Sequence, residues 1–216
     1  MAATGKEPAG SSTAELTNVY RDDISKRSRV MNDEKLKPIE NTMKITARNT
    51  PAKPGAHPEL TGREAKIAHT HGKITPLYQY LLNSAETAQN WKEFLSTVRQ
   101  RNSLPSDLRE LIILRVTVLN HAPNEFATHV EHAKFAGLSD EKIHAVKVSS
   151  ISPIFTQREQ LALELVDVMT QHIDLPEPLF EKISKQFQGK ELLDLCIMVG
   201  AYNLASRVLM PLQIGH

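Results

Sequence analysis

The stretch from residue 104 to residue 146 constrains this chain more than any other: it reads as helix, short loop, helix, tight turn, helix. Leu108, Leu111, Ile112, Val116 and Leu119 recur at helical spacing and make the first segment an apolar helix. Ser106 is placed to cap it, with Asp107 in its first turn. Pro123 breaks the chain, and Asn124 is placed to cap a second helix starting at Glu125. Gly137 supplies the left-handed residue that ends that helix, and Ser139 caps a third beginning Asp140-Glu141.

Polar groups on these helices converge. Glu125 and His129 stand four apart and share one face, and His132 lies close to the same stripe. Glu110 sits in an otherwise apolar helix, where a carboxylate is rarely buried without a partner. An imidazole from the next helix is the natural one. The loop between the two helices is short, so they must pack as neighbours. The spacing therefore predicts that Glu110, Glu125 and His129 meet within hydrogen-bonding reach at the wall of an apolar pocket.

The same residues resemble the carboxymuconolactone decarboxylase family, which also contains the alkylhydroperoxidase D (AhpD)-type proteins. The resemblance is carried by Arg109-Glu110-Leu111, Leu114-Arg115-Val116, Glu125-Phe126-Ala127-Thr128-His129 and Ala136-Gly137-Leu138-Ser139, and it spans roughly residues 72–214. The decarboxylase branch has Glu-Trp-x-x-His where this chain has Phe126 as the second residue. The peroxidase branch has a cysteine pair that would fall at Ala122 and Glu125, so the resemblance excludes thiol peroxidase chemistry. It implies an AhpD-like bundle that needs no cofactor and no metal. It also implies a small-molecule substrate and a homo-oligomer built on trimers.

The rest of the chain fits an all-α bundle of seven or eight helices, because no segment alternates for long enough to make a strand. Residues 1–60 are polar and charged and read as a tail or a helical arm, with Pro51, Pro54, Gly55 and Pro58 as a linker to a domain over residues 61–216. His69 and His71 read as loop residues, and Thr75 with Pro76 opens a helix. Ser84 caps the next, whose Ala88, Trp91, Phe94, Leu95 and Val98 form one apolar stripe. Thr156 and Glu159 form a capping box, Gly189 closes a later helix, and Pro211 stops the last. The stripe around Trp91 and the last helix are the candidate contact faces between subunits.

Composition narrows the classes. The net charge is +1, which gives no electrostatic case for nucleic acid or an anionic membrane. Cys196 is alone, so no internal disulfide or CxxC pair exists, and it reads as a small buried hydrophobe. Neither a membrane-length apolar run nor a secretory signal core is evident, and the expectation is a cytoplasmic protein.

His129 suits general acid–base work because its ordinary pKa lies nearest to neutral, and a flanking Glu110 or Glu125 would orient the ring. The resemblance implies proton transfer during loss of CO2 from a lactone acid, or a related isomerisation. Arg115 or Arg207 would hold the departing carboxylate, and Phe126 and His132 are further candidates for contact with substrate. The alternatives are a buried structural Glu110–His129 pair in a non-catalytic scaffold, and salt bridges for both arginines. A metal set of Glu125, His129 and His132, with Glu110 as fourth ligand, is the third reading.

Overall fold

The computed structural model describes residues 50–51 and 76–214, within one compact unit, Ile45–His216. The N-terminal arm, His69, His71 and Thr75 lie outside the described residues. Among the described residues there are eight helices and no strand. They are α1 Pro76–Leu81, α2 Ala85–Gln100, α3 Ser106–Leu119, α4 Pro123–Phe135, α5 Asp140–Ala145, α6 Gln157–Gln171, α7 Glu177–Gln186 and α8 Lys190–Leu212.

The hub is α3. Its residues 111–117 are at most 3 % exposed, so the helix is covered on every side. A helix apolar all round has no solvent face to offer, and a central position is the stable solution. Helices α4, α6 and α8 pack around it, and α2 leans on α8. The core formed there includes Leu111, Ile112, Leu165, Leu195 and Met198, all fully covered. A smaller cluster of Tyr78, Leu81, Leu82 and Ala88, with Trp91 against it, joins α1 to α2.

The expected stops and starts hold in part. Gly137 takes φ +96° just after α4, Ser139 Oγ accepts from the Lys142 backbone N–H, and Thr156 with Glu159 completes the capping box. Ser106 does not cap α3, because the helix already includes it and Pro105 takes the cap position. Asn124 is likewise inside α4. Pro123 opens that helix rather than merely breaking the chain, since its missing N–H is one the first turn leaves unpaired anyway. Ser84 occupies the cap position of α2, but its hydroxyl bonds to that of Thr87 instead of a backbone N–H. Gly189, at φ +52°, precedes α8, while α7 already ends at Gln186. Pro211 lies within α8, which runs to Leu212 and ends on left-handed Gln213.

The stripe on α2 is buried at Ala88 and Val98, while Phe94 is exposed. Helix α8 corrects one reading: by length and composition it is long and apolar enough to cross a membrane. Half of its apolar window is buried in the bundle, and that role accounts for its composition.

Candidate functional site

Glu110 leaves the first turns of α3, and His129 lies in the middle of α4. Three residues, 120–122, join the two helices, with His121 at φ +53° making the tight reversal. The hairpin brings the side chains together: His129 Nδ1 lies 2.7 Å from Glu110 Oε2. Both are buried, Glu110 at 8 % and His129 at 4 % exposure.

Burial pushes the Glu110 carboxyl up, but the hydrogen bond and charge of His129, with the charges of Arg99 and His132, outweigh it and hold it below the ordinary carboxylate value. Glu110 is therefore an anion that accepts from Nδ1–H. That bond fixes the ring and leaves Nε2, which has no hydrogen-bond partner among the described residues, as the nitrogen able to meet a substrate.

Other groups border the pair. The Tyr202 ring from α8 meets the His129 ring edge-on, centroids 5.2 Å apart. Burial pushes the Tyr202 phenol far up, with Arg99 opposing and Glu110 and Glu125 reinforcing, so it remains a neutral O–H donor. Arg99 of α2 places Nη2 3.7 Å from Glu110 Oε1. The His132 ring stands 5.5 Å from that of His129, on an exposed residue. Burial, then the charges of Arg99 and His129, lower the His132 pKa against the pull of Glu110, which keeps it neutral at neutral pH.

The remaining sequence-derived candidates are placed as follows. Glu125 is half-buried on α4, and its charge acts on Tyr202, but it makes no hydrogen bond to His129 or Glu110. Phe126 is half-buried, packs on the core and lies under the Lys147 amine, 4.7 Å from ring centroid to Nζ. Arg115 is not a substrate cation. Its Nε and Nη2 hold the two Asp167 oxygens at 2.6 Å each, and its remaining N–H groups go to the carbonyls of Val146, Val148 and Ser149. All five donors are occupied, so none is left for a ligand. Arg207 bonds to Asn203 Oδ1 and the Thr170 carbonyl, tying α8 to α6 rather than facing the pair.

Arg99 and Tyr202 were not picked out by the sequence. Arg99 carries no local signal beyond its charge on an amphipathic helix, and Tyr202 reads as one more apolar position of the last helix. Nor do the metal candidates gather. Among the described residues no three His, Cys, Asp or Glu side chains form a set able to hold an ion, since His132 turns outward and Glu110 occupies Nδ1. Cys196 is half-buried, and burial raises its thiol pKa.

With this geometry in hand, comparison with known proteins gives consistent likenesses. Residues 85–167 match the carboxymuconolactone decarboxylase family. An uncharacterised protein of Bacillus subtilis, YdfG, is 23 % identical over 115 residues, covering 50 % of this chain and 76 % of that protein. A structure from Agrobacterium tumefaciens, a protein of unknown function proposed to be the antioxidant-defence protein AhpD, is 25 % identical. Its TM-score is 0.59, with 63 % of this chain and 94 % of that one covered. An uncharacterised peroxidase-related protein from Ralstonia eutropha with an AhpD core superposes at TM-score 0.66 and 13 % identity. That match covers 78 % of this chain and 90 % of the other, and it speaks to the fold alone.

Proposed function

The chain belongs to the carboxymuconolactone decarboxylase and AhpD-like superfamily, and from that premise we propose that it is a lyase or isomerase that moves protons with His129 and Glu110 on a small carboxylated or lactone-type substrate. The observation that supports this most is the buried 2.7 Å contact between His129 Nδ1 and Glu110 Oε2. It is the arrangement a general acid–base imidazole needs: one nitrogen anchored, the other free, and a carboxylate to stabilise the imidazolium.

The chemistry follows from these groups. In an isomerisation, Nε2 takes a proton from one carbon and returns it to another. In a decarboxylation, the carbon–carbon bond to the carboxylate breaks, CO2 leaves, and the electron pair enters an enolate. Protonated Nε2 then delivers the proton that the enolate carbon requires, and solvent restores it to the ring. The Tyr202 O–H, held neutral by burial, would steady the enolate oxygen. Glu125 remains a third carboxylate on the His129 side of α4, and its charge reinforces the protonated state of Tyr202.

Assembly into a homo-oligomer and a cytoplasmic setting belong to the same proposal. Leu193, Ile197, Gly200 and Leu204 fall on one stripe of α8, with Leu193 60 % and Leu204 44 % exposed. An apolar stripe left uncovered on a core helix is what a second copy would bury.

The test is to incubate the full-length protein with a panel of unsaturated lactone acids and follow CO2 release and loss of conjugated absorbance. Catalysed turnover of a panel member supports the reading. A panel that decays at the buffer rate, with neither CO2 release nor isomerisation, counts against it.

A further inference from the structure

Of the six described arginines, Arg109, Arg115, Arg158 and Arg207 hydrogen-bond through their side chains to carbonyl or side-chain oxygens, while exposed Arg101 and half-buried Arg99 do not. Of these two, Arg99 is the one that borders the Glu110–His129 pair. Its nearest charged partner is Glu110 Oε1 at 3.7 Å, beyond hydrogen-bond distance, and it makes no hydrogen bond to any described residue. Its side chain is 38 % exposed, so the fork of N–H groups is open from outside while one edge borders the buried pair.

Its charge reaches Tyr78 of α1, Glu110 of α3, His132 of α4 and Tyr202 of α8. The guanidinium therefore acts on groups of four other helices, among them the carboxylate that holds His129. A planar guanidinium with free donors matches a carboxylate bidentately. Eight residues earlier on α2, the Trp91 indole N–H is buried and has no acceptor.

We propose that Arg99, which borders the Glu110–His129 pair, is the residue that binds the carboxylate of this site's ligand. This rests on the acid–base reading of Glu110 and His129. Arg99 and ionised Glu110 balance one another in the resting site.

Trp91 is the sole tryptophan of the chain, so its fluorescence reports binding directly. The probes are 5-oxotetrahydrofuran-2-carboxylate and benzoate, each titrated beside its methyl ester into the full-length wild type and Arg99→Gln. The expected result is that at least one acid binds wild type more tightly than its ester does, and that Arg99→Gln weakens the acid about tenfold or more and the ester not at all, the loss expected for a charge-assisted bidentate contact. Equal binding of the acids to both proteins, or acids binding wild type no better than their esters, overturns the proposal. Should Arg99→Gln not fold, Arg99→Lys decides instead. It keeps the charge without the fork and should weaken the acid alone, and unchanged affinity overturns the proposal. Failure of the acid–base reading has a different signature, because His129→Gln would then retain turnover while the binding differences at Arg99 persist.

Discussion

Glu110 and Arg115 stand five residues apart on the same buried helix and are neutralised in different ways. Arg115 is enclosed: Asp167 lies across two of its nitrogens, and three carbonyls between α5 and α6 take the rest. Removing it strands a carboxylate and three acceptors in a covered region. Arg115→Met should therefore destabilise the fold by about 3–5 kcal/mol, the range for breaking a buried pair from one side, and chemical denaturation would measure it. A loss under about 1 kcal/mol would mean water replaces the guanidinium there. Glu110, by contrast, has one oxygen on His129 and the other only near Arg99. The four-residue spacing of Glu125 and His129 produced no hydrogen bond. The Glu110–His129 pair was legible because a short loop forces the two helices to pack and a carboxylate on an apolar helix needs a partner. The partner of Arg115 lies 52 residues away and was not, since nothing local to Arg115 distinguishes a clamp from a ligand-binding cation. Arg99 was missed for the same reason, because its meaning depends on which helices come together around it.

At the scale of elements, cap chemistry separates positions that look equivalent in sequence. Thr156 accepts from the Glu159 N–H while Glu159 returns to the Thr156 N–H at 2.8 Å. Ser106 has the same residue-level appearance and no such bond. Thr156→Ala should cost about 1 kcal/mol, the usual value for a cap, while Ser106→Ala should stay within about 0.5 kcal/mol, as for an ordinary surface change. Equal losses in thermal melts would show that the capping geometry does not govern these termini. The helices themselves were readable from 3.6-residue periodicity and from Gly137, Ser139 and Thr156. Their exact starts were not, because Pro105 and Pro123 set the first turns through backbone constraint rather than side-chain bonds.

For the whole molecule, the exposed stripe on α8 is the feature the single chain leaves unexplained. If a second copy covers it, Leu204→Glu places a charge in an apolar contact and should shift the protein toward monomer in sedimentation at micromolar concentration. Wild type already monomeric under those conditions, or an unchanged oligomer in the variant, would remove α8 as the contact. The apolarity that lets α8 serve the core also makes it resemble a membrane span by composition. Sequence periodicity does not separate the two cases, and only its packing against α2, α3 and α6 shows the core role.

The central claim is that His129, anchored by Glu110, moves protons to and from carbon. Hydrogen exchange from D2O into the carbon next to the carbonyl of a saturated lactone acid, followed by proton NMR, reads that step without requiring CO2 loss. Wild type should accelerate the exchange, and His129→Ala and Glu110→Gln should each slow it by about a hundredfold or more while remaining folded, the scale of one general acid–base group. Exchange that continues undiminished in folded His129→Ala, or loss of stability in both variants with exchange intact, would make the pair a structural one and contradict the account.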